Sequence, residues 1–105
     1  MTTTLTPDTF TANVLESEIP VVVDFTAAWC PPCRAMKPIL SELAGERDDI
    51  RFTQLDVDAH PDIAARYDVL SMPTFIVFRH GEPVGKLVGA RPKKRFVSDL
   101  EQALA

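Results

Sequence analysis

The spacing of apolar residues along this chain changes period several times, and each change marks an element. Ile19 to Phe25 is β-branched and apolar on both faces, the pattern of a central strand covered on both sides. Ile50–Val57 and Thr74–Phe78 read as the second and third strands. Arg79-His80-Gly81-Glu82-Pro83 is a turn of hairpin length, and Val84–Val88 returns as the fourth strand. Between strands the spacing shifts to three and four. Arg34–Glu46 sets Met36, Ile39, Leu40 and Leu43 on one helical face, with Gly45 near its end. Pro38 falls inside that pattern and predicts a kink.

Three further helices have start signals. Thr6-Pro7-Asp8 supplies an N-cap, a proline at the first helical position and an acid in the first turn. Phe10, Val14 and Leu15 form that helix's apolar face, which stops at Glu16-Ser17-Glu18. Asp58-Ala59-His60-Pro61-Asp62 opens a short helix ending near Tyr67. Pro92 opens the last one, with Phe96, Val97, Leu100 and Leu104 turned inward. The order is α-β-α-β-α-β-β-α. Its βαβ units predict right-handed parallel connections, and the hairpin adds an antiparallel strand. An α/β fold follows, with a mixed central sheet and helices on both faces.

Composition narrows the function more than the fold. The 105 residues, 46% hydrophobic and 25% charged, suit one folded domain over residues 1–105. No repeat or low-complexity stretch divides it. A net charge of −4 gives no pull toward nucleic acid or an anionic membrane. No apolar run approaches the roughly 18 residues of a membrane span. The first residues have neither the basic nor the apolar region of a secretory signal, so the expected compartment is the cytoplasm.

The chemistry concentrates in Trp29-Cys30-Pro31-Pro32-Cys33, which contains the only two cysteines. A ring closed over so few residues removes little entropy from the unfolded chain and is a poor staple. It is suited to exchange: one thiolate attacks an external disulfide and its neighbour stands ready to release the product. The pair lies where a strand hands over to a helix N-terminus, whose free amides and dipole favour a thiolate. Half a zinc site, or two buried thiols without a role, are the alternatives. Only His60 and His80 could join the pair on zinc, and neither has a recommending spacing. Asp24, inside the apolar strand just upstream, should be buried with a raised pKa. It is either a strand-end aspartate reaching water or a backbone donor, or the proton partner of Cys33. Met72-Pro73-Thr74 places a proline at a strand entry, which marks an edge, a first residue or a cis bond. Arg91, Lys93, Lys94 and Arg95 cluster at the last helix's start, either as a solvated face or as a docking patch.

Together these pieces resemble the thioredoxin family. The likeness rests on Val22-Val23-Asp24-Phe25, Trp29-Cys30-Pro31-Pro32-Cys33, Lys37-Pro38-Ile39-Leu40, Asp56-Val57-Asp58, Met72-Pro73-Thr74-Phe75 and Val88-Gly89-Ala90. It runs in order over nearly the whole chain. The resemblance implies a thioredoxin fold and protein-disulfide reduction, with Cys30 as an exposed nucleophile and Cys33 as the resolving thiol. Asp24 then matches the buried acid and Pro73 the cis-proline. Met72 would pair its backbone with an extended client segment, and Trp29, Pro31 and Gly89 would belong to the docking surface. No cofactor is implied in the chain itself. Electrons would reach the Cys30–Cys33 disulfide from NADPH through thioredoxin reductase, and the expected partners are that reductase and disulfide-containing clients of a monomer.

Three positions depart from the family's usual pattern. Pro31 stands where glycine is commonest and removes an N–H that could face the Cys30 sulfur, while also fixing φ. Gln54 stands where a lysine often neighbours the acid, so the expectation is an acid without that cation. Thr26 replaces a tryptophan, which makes the rim less apolar. The Pro-Pro spacer keeps a more oxidising oxidase or isomerase open as an alternative, and a non-catalytic binding module is another.

Overall fold

The run that follows Pro20 forms the strand at the middle of the sheet, in a computed structural model that describes residues 2–105. In chain order the elements are β1 (Thr3–Thr4), α1 (Pro7–Phe10), β2 (Val21–Thr26), α2 (Pro31–Glu46) and β3 (Arg51–Asp56). These are followed by α3 (Pro61–Arg66), β4 (Thr74–Arg79), β5 (Glu82–Val88) and α4 (Lys93–Leu104). A π-helical turn, Thr11–Leu15, continues α1. The sheet order is β1-β3-β2-β4-β5. β1 and β2 run parallel to β3, while β4 is antiparallel to both β2 and β5.

Alternation along the strands divides the core in two. Val21, Val23, Phe25, Ile76 and Phe78 pack with Phe10, Val14 and Ile63 on the face of α1 and α3. Val22, Phe52, Phe75 and Val77 pack with Met36, Leu40, Phe96 and Leu100 on the face of α2 and α4. Every residue of β2 is buried, the polar Asp24 and Thr26 included. Helices therefore cover both faces, as the pattern predicts.

The differences from expectation are local. β1 is an addition: two exposed threonines carry no apolar pattern, and they pair with Thr53 and Gln54 of β3. α2 begins at Pro31, three residues earlier than the apolar spacing suggests. Two prolines fit its first turn because the amides there need no intrahelical acceptor. The helix runs on through Pro38 to Glu46 as one element. At the other end of the chain order, β5 begins at Glu82 and forms an edge. Its register against β4 shifts at Val77/Phe78, and it carries Pro83 and Lys86. α1 is capped as read, although the reciprocal partner of Thr6 is Thr9. The Thr6 amide donates to Thr9 Oγ1 at 2.7 Å, and the Thr9 amide donates back to Thr6 Oγ1 at 3.3 Å.

Candidate active site

Cys30 is the N-cap of α2, in extended conformation, and is joined to Cys33 by a disulfide with the two Cα atoms 5.3 Å apart. An N-cap side chain turns back over the first turn, and here it is sulfur that does so: the Cys33 amide donates to Cys30 Sγ at 3.3 Å. The Arg34 amide goes to the Cys30 carbonyl at 3.2 Å. Pro31 and Pro32 have no N–H to offer. One amide of the first turn is therefore aimed at the nucleophile's position, and the two prolines remove two others. The turn-back also corrects the expectation of an exposed Cys30. Only 2% of that residue is accessible, against 0% for Cys33.

The surroundings of the pair are mixed, with Pro73 buried, Met72 half-buried and the residues on the other side of the sulfurs open. Pro31 lies on the surface. Trp29 is 62% exposed, and its indole N–H donates to Asp58 Oδ2 at 2.8 Å. Asp58 is itself held by its amide, which donates to Asp56 Oδ1 at 2.9 Å. The ring is thus tied to the loop after β3 while its face stays open. Met72-Pro73 is a cis peptide leading into β4. The Gly89 amide donates to the Pro73 carbonyl at 2.9 Å, which brings Gly89 beside the proline. Gly89 has φ +96°, a conformation that favours a residue without Cβ. Leu70, in the loop approaching Met72, is 92% exposed. Sequence reading passed over it, because a single leucine in a polar turn carries no periodic signal.

Asp24 is 0% exposed, and neither carboxyl oxygen has a hydrogen-bond donor from the protein. Burial raises its pKa from an ordinary 3.8 to about 7, and the charge of Lys37 acts in the opposite direction. This corrects the expectation raised by Gln54. A cation does neighbour the acid, but it comes from α2. Lys37 Nζ donates to Gln54 Oε1 at 3.2 Å, and Gln54 Nε2 donates to Thr4 Oγ1 at 2.9 Å. Gln54 is the register neighbour of Asp24 on β3, so it holds the ammonium where a lysine of its own could have placed one.

The remaining candidates gather elsewhere or not at all. His60 precedes α3 without a side-chain cap, and His80 is an exposed turn residue with φ +53°. Among the described residues, no three of His, Cys, Asp and Glu come together as metal ligands. Nor is any helix among them long and apolar enough to cross a membrane. Three of the four clustered cations are engaged by carboxylates. Arg91 meets Asp99 at 2.6 Å, Arg95 meets the same acid at 3.3 Å, and Lys93 bridges Glu42 and Glu46.

A family model described as Thioredoxin matches residues 1–102. The chain belongs to the thioredoxin family. It is thereby one of the protein-disulfide oxidoreductases, with Cys30–Cys33 as the redox-active pair. A thioredoxin of Mycolicibacterium smegmatis is 42% identical over 106 residues, covering 98% of this chain and 95% of that protein. The M-type chloroplastic thioredoxin of Chlamydomonas reinhardtii is 43% identical over 98 residues, 92% of this chain and 70% of the relative. A bifunctional thioredoxin reductase/thioredoxin of Mycobacterium leprae is 42% identical over 105 residues, 99% of this chain. The chain spans 23% of that longer protein.

Proposed function

We propose that this chain reduces protein disulfides, with Cys30 as nucleophile, Cys33 as resolving thiol and Asp24 as the proton partner of Cys33. The Cys30 thiolate attacks one client sulfur, forming a mixed disulfide and releasing a client thiolate that takes a proton from solvent. Cys33 then gives its proton to Asp24 and attacks Cys30 Sγ. The second client thiolate leaves, and the Cys30–Cys33 disulfide holds the oxidising equivalents. Two electrons pass to the client. The supporting observation is the pair's position at the start of α2 together with a fully buried, unpaired Asp24 near neutrality.

Trp29, Pro31, Met72, Pro73 and Gly89 form the docking surface in this reading, with Leu70 as an exposed apolar neighbour. The Met72 backbone pairs with an extended client segment. The electrons that restore the dithiol come from NADPH through a thioredoxin reductase. In support, the Mycobacterium leprae relative's name joins those two activities. The cytoplasm, where thiols are kept reduced, is the matching compartment.

Trapping tests the roles of the two cysteines. Cys33→Ser should accumulate client mixed disulfides, Cys30→Ser should accumulate none, and both should lower insulin reduction to the uncatalysed rate. Parent-like reduction by both variants would refute the mechanism. Equilibration against glutathione, followed by turnover with NADPH and a reductase, separates a reductase from an oxidase or isomerase and from an inert binding module.

A further inference from the structure

Of the four cations clustered between β5 and the first turn of α4, one reaches back to the backbone beside Pro73. Lys93 is occupied by Glu42 and Glu46 of α2, Lys94 is exposed, and the Arg95 side chain, 71% exposed, pairs with Asp99. Arg91 is placed differently. Its side chain and that of Asp99 are 17% and 16% exposed, and they meet at 2.6 Å. The rest of the guanidinium turns to the main chain. Nη2 donates to the Val88 carbonyl at 2.6 Å and to the Gly89 carbonyl at 3.3 Å, and Nε donates to the Gly89 carbonyl at 3.4 Å. The Arg91 amide donates to Met36 Sδ at 3.5 Å, on the helix that begins at the cysteines. The two carbonyls lie where the chain leaves the sheet. The β4–β5 register ends at Thr74/Val88, and the next amide, that of Gly89, goes to the Pro73 carbonyl. A Cβ added at Gly89 would meet nothing within 4 Å, so this turn keeps an open side next to the proline.

We propose that Arg91, anchored by Asp99, is a positioning residue for client docking: it holds the Val88-Gly89 turn against Pro73, so that an incoming extended segment meets a pre-set surface. The inference rests on the reading of Met72, Pro73 and Gly89 as that surface. A guanidinium presents its N–H groups as a rigid planar fork, and this one spans a carboxylate and two successive carbonyls. Gly89, at φ +96°, is the freest residue of the turn and loses the most entropy when fixed. Fixing it before the client arrives removes that ordering cost from binding. Pro92 assists from the other side, because it disfavours helical backbone at Arg91. Arg95 shares the same carboxylate and touches neither carbonyl, which makes it the internal control.

Arg91→Met tests this in single-turnover oxidation of the reduced protein by insulin, with hydroxyethyl disulfide as a client that has no peptide backbone. The half-saturating insulin concentration should rise about fivefold, with the limiting rate unchanged. Oxidation by hydroxyethyl disulfide should stay at the parent rate, and the Gly89 amide should exchange with solvent faster. Arg91→Lys, which keeps the charge without the fork, should fall between parent and Arg91→Met. Arg95→Met should behave as the parent. If folded Arg91→Met keeps the parent half-saturation, or if Arg95→Met raises it as much, the ion pair only stabilises the fold and the proposal fails. Gly89→Ala separates that failure from a failure of the docking surface itself. With the surface as read, Gly89→Ala weakens insulin capture whatever Arg91 does. A parent-like Gly89→Ala overturns the surface, and the role of Arg91 with it.

Discussion

The two faces of β2 are built of the same strand and do opposite work. On the α1/α3 face, Phe10, Phe78 and Tyr67 meet edge-on or tilted at 5.2–6.0 Å, and Phe25 closes on Tyr67 at 6.5 Å. Apart from the tyrosine hydroxyl, the rings need no polar partner, and the face is a source of stability. On the α2/α4 face the row begins apolar at Val22, passes an unpaired carboxyl at Asp24 and ends at an unpaired hydroxyl in a cavity. Desolvating a carboxylate costs stability. That face bears the cost although it is closely packed as well, with Phe75 and Phe96 edge-on at 4.8 Å. The acid lies on the α2/α4 face, while Cys30 and Cys33 pack with the cluster of the α1/α3 face.

The contrast can be broken from either side. Phe78→Ala removes a fully buried ring from the aromatic face and should cost about 3–5 kcal/mol in denaturant unfolding, with resolution kinetics of the folded fraction unchanged. Asp24→Ala should do the reverse. In the unfolded chain Asp24 ionises near 3.8, and in the fold only near 7, so the parent loses stability as pH rises between those values and then levels off. The stability difference in favour of Asp24→Ala should therefore grow by up to about 4 kcal/mol from pH 3.8 to pH 8, while resolution slows. If the parent instead gains stability from pH 4 to 7, the carboxylate is well paired and the two faces are not opposites. The smallest effect belongs to the cap of the helix that presents Phe10. Thr6→Ala should cost about 1 kcal/mol in thermal or chemical unfolding and leave the pH dependence untouched.

Most of this plan was legible in the residues. Two-faced apolar runs gave the strands, helical spacing gave the helices, and an acid inside Val21-Val22-Val23-Asp24-Phe25 announced a buried carboxyl. Much of what escaped depends on partners distant in sequence. β1 exists because β3 offers it a backbone ladder, not because two threonines favour a strand. Gln54 suggested an acid without a neighbouring cation, because nothing local reveals that a lysine 17 positions away reaches across to it. Trp29 shows no sign in the sequence of its bond to Asp58. The burial of Cys30 came from the fold-back of a capping side chain, a detail below the resolution of any spacing pattern.

The edges of the sheet have a consequence for life at high concentration. A protein proposed to grip other chains through open backbone at Met72 carries the hazard of gripping its own kind. Long, flat edge strands would invite copies to stack side by side. Here one rim is a strand of two residues, and the other is interrupted by Pro83, a register shift and the charge of Lys86. Neither is a good template for a growing fibril, and in the proposed reading β-pairing with another chain is confined to Met72.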